Sequence, residues 1–147
     1  MFSLCLRYFT CVCLVYGLNL SMKSFFVMRL KSFGYAFNGV VEVVRSQANM
    51  KIHLVGGVVA IFLGFVFQVK TCEWLAIIIC CGLVFAAEAM NTALENVVDL
   101  VSPNYHELAG KAKDAAAASV LWVAATALVV GLLIFLPKIP PYVHFLH

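Results

Sequence analysis

Charged side chains are scarce in this sequence: ten Lys and Arg and seven Asp and Glu among 147 residues, or 12%. With 64% hydrophobic residues and a mean hydropathy of +1.01, so little charge cannot clothe a water-soluble globule. The net charge is only +3, and no basic run with interleaved aromatics occurs, which excludes a nucleic-acid binder. Neither Gly-x-x-x-x-Gly-Lys-[Ser/Thr] nor Gly-x-Gly-x-x-Gly is present, so any nucleotide site must be built without a glycine-rich cradle. A disulfide framework is also missing. Cys80 and Cys81 fall in an apolar run, Cys72 stands alone in a short connection, and Cys5, Cys11 and Cys13 belong to an apolar leader. His53, His106, His144 and His147 show no metal-ligand spacing, and for His53 and the last two interfacial packing is the expectation.

The apolar residues that remain are gathered into blocks of membrane-spanning length. Spans are expected at about 52–69, 74–100 and 113–136, the second reaching bilayer length only if its helix continues past Ala87 through a polar stretch to Leu100. The fold class is an all-α membrane protein with one domain over residues 22–147 and no internal repeat. Ser102-Pro103 ends the second span, Asn104, Tyr105 and His106 form a short connection, and a helix starts at Glu107. Pro137, Pro140 and Pro141 close the third span, and Ala115 to Ala118 permit close helix contact.

Ahead of the first span, Phe26, Leu30, Phe33, Phe37, Val40, Val41 and Val44 recur at three- and four-residue steps. Arg29, Lys31, Ser32, Asn38 and Glu42 supply a polar surface, which describes an amphipathic helix over 25–44 lying on a membrane. Ser46 to Asn49 is expected to turn the chain into the first span. Residues 1–21 form an apolar leader with Arg7 in its middle, unlike a signal peptide or a clean span. A physiological start at Met22 or Met28 is the preferred reading, and an uncleaved accessory helix is its rival. Lys23, Arg29, Lys31, Arg45 and Lys51 precede the first span, while Lys111 and Lys113 follow the second. By the positive-inside rule these segments are cytoplasmic.

The second block carries a run of acids where lipid should follow. At about 100° per residue, Glu88, Asn91, Glu95 and Asp99 fall within a stripe about 80° wide, while Met90, Leu94 and Val97 face elsewhere. Acids, an amide and a lysine converging at a membrane surface meet the needs of phosphoryl transfer: one carboxylate takes the proton of an attacking hydroxyl, another holds a metal, and a cation steadies phosphate charge. Glu88 is the deepest and is suited to be a general base toward a lipid hydroxyl. Glu95 and Asp99, nearer water, suit hydrated Mg²⁺. On the residues alone, a structural or transport role for these acids stands level with an enzyme.

The run from Glu88 to Asp99, with Ser102-Pro103-Asn104-Tyr105-His106 and Ala112-Lys113-Asp114, resembles the signature of the small bacterial diacylglycerol kinase and undecaprenol kinase family. The likeness extends over about Met28 to Lys138. It implies a homotrimeric enzyme of the bacterial cytoplasmic membrane that uses MgATP to phosphorylate a lipid alcohol, undecaprenol or diacylglycerol, at sites between subunits facing the cytoplasm. Glu88 would be the general base, with Asn91 helping to hold the lipid site. Glu95 would bind metal and ATP with Asp99 in support, and Lys113 and Asp114 would contact the nucleotide. Tyr35, Tyr105 and His106 would line its pocket. Glu73-Trp74 and the Ser-Pro pair look more like the undecaprenol branch.

One position departs from the pattern. Gln47 stands where the family carries a second metal-binding glutamate, offering a neutral oxygen in place of a charge, with Glu42 a conceivable substitute. Plainer roles stay open: Asn91 as an interhelical hydrogen-bonding residue, Lys113 as a positive-inside anchor and Tyr35 as an interfacial aromatic. The runner-up functions are a small oligomeric channel or transporter whose Glu88 ring lines a pore, and a catalytically impaired relative.

Overall fold

The computed structural model describes residues 22–139, which are helical apart from short connections. The leader, the choice of start ahead of Met22, and His144 and His147 lie outside the described residues. Helix α1 covers Met22–Ser46, α2 Ala48–Val66, α3 Thr71–Val101 and α4 Glu107–Phe135, followed by a 3₁₀ turn at Leu136–Lys138. Residues up to Gly39 belong to one compact unit and those from Val40 onward to another, so α1 runs from the first unit into the second.

In the first unit, Phe26, Leu30, Phe33 and Phe37 are all exposed, as are the polar residues between them. Ser32 Oγ donates to the Met28 carbonyl at 3.0 Å, and the Arg29 guanidinium sits 5.0 Å from the Phe25 ring centre.

In the second unit, α2, α3 and α4 are each long and apolar enough to cross a membrane. Their outward side chains, among them Val55, Phe62, Ile78, Leu83, Leu121 and Leu133, remain exposed, as lipid-facing positions must. Buried apolar residues are few: Met50, Val69, Ile77, Val84, Ala116, Val120 and Ile134. Glycine lets α2 approach α3 closely. A Cβ on Gly64 would lie 2.7 Å from the Trp74 indole, and one on Gly57 would lie 3.2 Å from the Phe85 ring. Trp74 also packs on Phe65 with ring centres 4.8 Å apart, so two glycines receive two aromatic rings along one helix face.

Helix α2 begins and ends earlier than the apolar run predicts. A single residue, Gln47, breaks the chain between α1 and α2, with φ −97° and ψ 120°, where a four-residue turn was expected. At the other end Val66 is the last helical residue, although Phe67 and Val69 prolong the apolar pattern. Gln68 adopts φ 48°, its N–H bonds the Phe65 carbonyl at 3.3 Å, and the Val69 N–H bonds Gly64 at 3.1 Å. These two bonds close a Schellman motif, which ends the helix whatever the hydropathy of the next residues.

Cys72 lies in α3 and not in a connecting loop. The reason is Glu73, whose Oε2 accepts the Lys70 N–H at 2.6 Å and so starts the helix at Thr71. With 31 residues, α3 extends over about 46 Å, more than the roughly 30 Å of a bilayer's hydrocarbon core. One end must project into water, and the end carrying both Glu95 and Asp99 is the one that water favours.

Candidate active site

Glu88 lies 17 residues into α3, about 26 Å along its axis from Thr71 and near the far edge of a hydrocarbon core entered at that residue. It is 1% exposed, the most deeply buried large side chain among the described residues. Asn91 and Thr92 are buried with it, Glu95 is half-buried and Asp99 is exposed. Met90, Leu94 and Val97 point outward, so the polar stripe and its orientation follow from the helical period.

Hydrogen bonds divide the stripe into a dry part and a wet part. Asn91 Nδ2 donates to Glu95 Oε1 at 3.0 Å, which turns the amide so that its own Oδ1 is buried with no partner. Glu88 Oε2 is likewise buried and unpartnered. Two orphaned oxygens one turn apart are costly in a folded chain unless a ligand or proton donor arrives. Thr92, which the motif reading passed over, donates its hydroxyl to the Glu88 carbonyl at 2.9 Å. Its position four residues after Glu88 could have marked it as belonging to the same face.

At the wet end Asp99 Oδ1 accepts from Lys113 Nζ at 2.5 Å, joining α3 to α4 across 14 residues. Asp114, beside it, is exposed. Ser102 Oγ donates to the Asn104 carbonyl at 3.0 Å within the connection. Tyr105 is exposed there, and His106 caps α4 by accepting the Leu108 N–H on Nδ1 at 3.2 Å. Tyr35 belongs to the first unit and is exposed. Gln47 is half-buried and spends no side-chain bond on capping α2. The second unit therefore brings together Glu88, Asn91, Glu95, Asp99 and Lys113 along one edge of α3.

Mg²⁺ takes oxygen ligands and is commonly held by one or two carboxylates together with nucleotide phosphates. The half-buried Glu95 carboxylate and the unpartnered Asn91 Oδ1 fit that demand. Among the described residues no group of three or more His, Cys, Asp or Glu is assembled for a metal, so the phosphates would have to complete the shell.

Below the acids, α2, α3 and α4 border an apolar cavity of about 530 Å³. Val59, Leu63, Ile77, Val84, Leu128 and Phe135 are among its lining, and His53 also borders it. Val84 lies one turn before Glu88 on α3.

The sequence pattern of prokaryotic diacylglycerol kinases matches residues 34–135, which include every element just described except the start of α1 and the last turn. The chain belongs to the prokaryotic diacylglycerol kinase family. It is 39% identical over 109 residues to the undecaprenol kinase of Bacillus subtilis (strain 168), covering 74% of this chain and 89% of that protein. A diacylglycerol kinase of Synechocystis is 40% identical over 75% of this chain and 63% of its own length. The diacylglycerol kinase of Escherichia coli K12 is 31% identical over 65% of this chain and 79% of its own. Membership makes the chain a membrane-embedded lipid kinase, and the matched residues include the buried Glu88.

Proposed function

We propose that this lipid kinase transfers the γ-phosphoryl group of ATP to the hydroxyl of a polyisoprenoid alcohol, undecaprenol, at the cytoplasmic face of a bacterial inner membrane. The observation that carries the reading is Glu88: a carboxylate 1% exposed inside a spanning helix, with Oε2 unpartnered. Such a group is set to receive a proton from a hydroxyl that arrives from the lipid side. The apolar cavity that begins one turn below it supports a long hydrocarbon tail, with the alcohol at the mouth.

In this mechanism Glu88 Oε2 takes the hydroxyl proton as the lipid oxygen bonds to the γ-phosphorus, and the bond from that phosphorus to the β–γ bridging oxygen breaks. ADP leaves with the electron pair. The Asn91 Oδ1 is placed to orient the hydroxyl, while Glu95, held by Asn91 Nδ2, faces the polyphosphate. Bound Mg²⁺ would neutralise phosphate charge, with Glu95 as its protein carboxylate and Gln47 as a neutral oxygen from the α1–α2 break. Lys113 exchanges its Asp99 partner for phosphate oxygens, and Asp114 and Tyr105 complete the nucleotide's surroundings. Glu88 to Glu95 is about 10 Å along α3, a distance that a hydroxyl, a phosphoryl group and a metal can bridge.

Cytoplasmic orientation is supported by the lysines and arginines ahead of α2 and by Lys111 and Lys113 after α3. A homotrimer is supported by membership of the prokaryotic diacylglycerol kinase family, and by three spanning helices among the described residues being few to enclose ATP, a metal and a lipid headgroup. Undecaprenol is favoured over diacylglycerol by Glu73-Trp74 and by the 89% coverage of the Bacillus enzyme. Purified protein incubated with radiolabelled ATP and each lipid separately tests the reading. Undecaprenyl phosphate is the expected main product; a clear preference for diacylglycerol reassigns the acceptor, and labelling of neither lipid removes the kinase reading.

A further inference from the structure

The connection between α3 and α4 has to place Lys113 against Asp99 although the two are 14 residues apart. Three bonds fix where α4 starts. His106 has extended backbone, φ −141° and ψ 131°, and its carbonyl accepts the Gly110 N–H at 3.1 Å as the first bond of the helix. Its ring Nδ1 accepts the Leu108 N–H at 3.2 Å, satisfying one of the free donors of the first turn. Glu107 then accepts from Lys111 at 2.5 Å across the same turn. Lys113 follows on the second turn, so its height and azimuth relative to α3 are inherited from that starting point.

We infer that His106 is a positioning residue for Lys113: its imidazole serves as the N-cap of α4, and through that cap it sets the cation against Asp99 and the nucleotide phosphates. The inference rests on the reading of Lys113 as a phosphate-binding cation. Histidine is an uncommon cap, and asparagine or aspartate do the same work with an oxygen. The role therefore belongs to one acceptor atom and not to an aromatic ring. If the ring lay on the nucleotide instead, a phenyl group would serve and a small amide would not.

Three variants of the full chain separate these possibilities: His106→Asn, which keeps an acceptor, His106→Phe, which keeps a ring, and His106→Ala, which keeps neither. Amide hydrogen exchange at Leu108 and Gly110 reads the cap without reference to activity. Equilibrium binding of radiolabelled MgATP to the protein in detergent micelles reads the position of Lys113. We expect the Asn variant to match the wild type in both, and the Phe and Ala variants to lose protection and to bind MgATP about 3–10-fold more weakly. Wild-type binding by the Phe variant together with weak binding by the Asn variant overturns the inference in favour of direct ring contact. Lost protection with unchanged MgATP binding overturns the positioning role. Should Lys113→Met bind MgATP as well as the wild type, the reading of Lys113 falls, and the exchange data still decide whether His106 caps the helix.

Discussion

Where α3 begins, Glu73 receives Lys138 Nζ on both carboxylate oxygens, at 2.9 and 3.0 Å, and the Lys70 N–H at 2.6 Å. Where α3 finishes, Asp99 receives one bond, from Lys113 at 2.5 Å. The first pair is about a quarter exposed on each side, 24% and 26%, while the second is open, 36% for Lys113 and 64% for Asp99. Each pair joins α3 to the chain of α4 or to the turn that follows it, so each could have been a brace. Geometry and solvent separate them. Three charge-assisted bonds on one half-buried carboxylate, two of them bridging 65 residues, resist screening and exchange better than one. One bond on an exposed aspartate contributes little to stability and is readily surrendered to a competing anion. The Glu73 end has the geometry of a brace between helices, and the Asp99 end holds its cation by a single exposed bond.

The contrast can be broken most forcefully one step inside the wet end, at Glu88. Glu88→Gln keeps the volume and removes the base, and lipid phosphorylation should fall by about 10²–10⁴-fold. The melting temperature in detergent should be unchanged or raised, since a buried carboxylate whose Oε2 lacks a partner gives way to a neutral amide. Retained turnover would remove Glu88 from the chemistry and return it to the set of structural acids.

A smaller effect divides the two lysines. Lys113→Met should lower kcat/KM by about 10–10³-fold with little loss of stability, because the bond that it breaks is exposed. Lys138→Met should do the reverse, lowering the detergent melting temperature while the folded fraction keeps its turnover, and Glu73→Gln should behave like it. Raising ionic strength should weaken MgATP binding but leave the melting temperature nearly constant. If Lys138→Met spares stability and removes activity, the two ends are not divided in the way that their geometry indicates.

How far this division could be read beforehand differs from residue to residue. The acidic stripe was visible because a 3.6-residue period acts on every side chain of α3, and the same period that groups Glu88 with Asn91 buries both. Pro103 announced the end of α3 because proline restricts the residue before it. The single-residue break at Gln47 was hidden, since nothing local separates a one-residue kink from a four-residue turn. The Glu73–Lys138 brace was hidden more deeply: both residues had been named, one as a neighbour of Trp74 and the other as the end of the family likeness, but pairing at that separation is a property of how α3 and the turn after α4 lie together. His106 was legible as a site residue only by resemblance, and its Nδ1 bond shows a mechanical duty that the motif does not express.

The smallest expected effect lies on the structural end, at Gln68. The Schellman turn that ends α2 requires a left-handed residue, and Gln68 supplies it at φ 48° with a β-carbon that glycine would not carry. A left-handed L-residue costs roughly 1–2 kcal/mol, and glycine recovers that while losing roughly 0.5–1 kcal/mol to the greater freedom of its unfolded chain. Gln68→Gly should therefore stabilise the protein by about 0.5–1 kcal/mol in reversible detergent unfolding. Gln68→Ala keeps the β-carbon and should give no gain, which separates backbone relief from loss of the exposed side chain. Turnover and MgATP affinity should be unchanged in both, because the turn belongs to the end of the molecule where Val69, Ile77 and Ile134 pack and where no group of the acidic stripe lies. A change in activity without a change in stability would show that strain at Gln68 is transmitted along α3, and the two ends would then have to be treated as one mechanical unit.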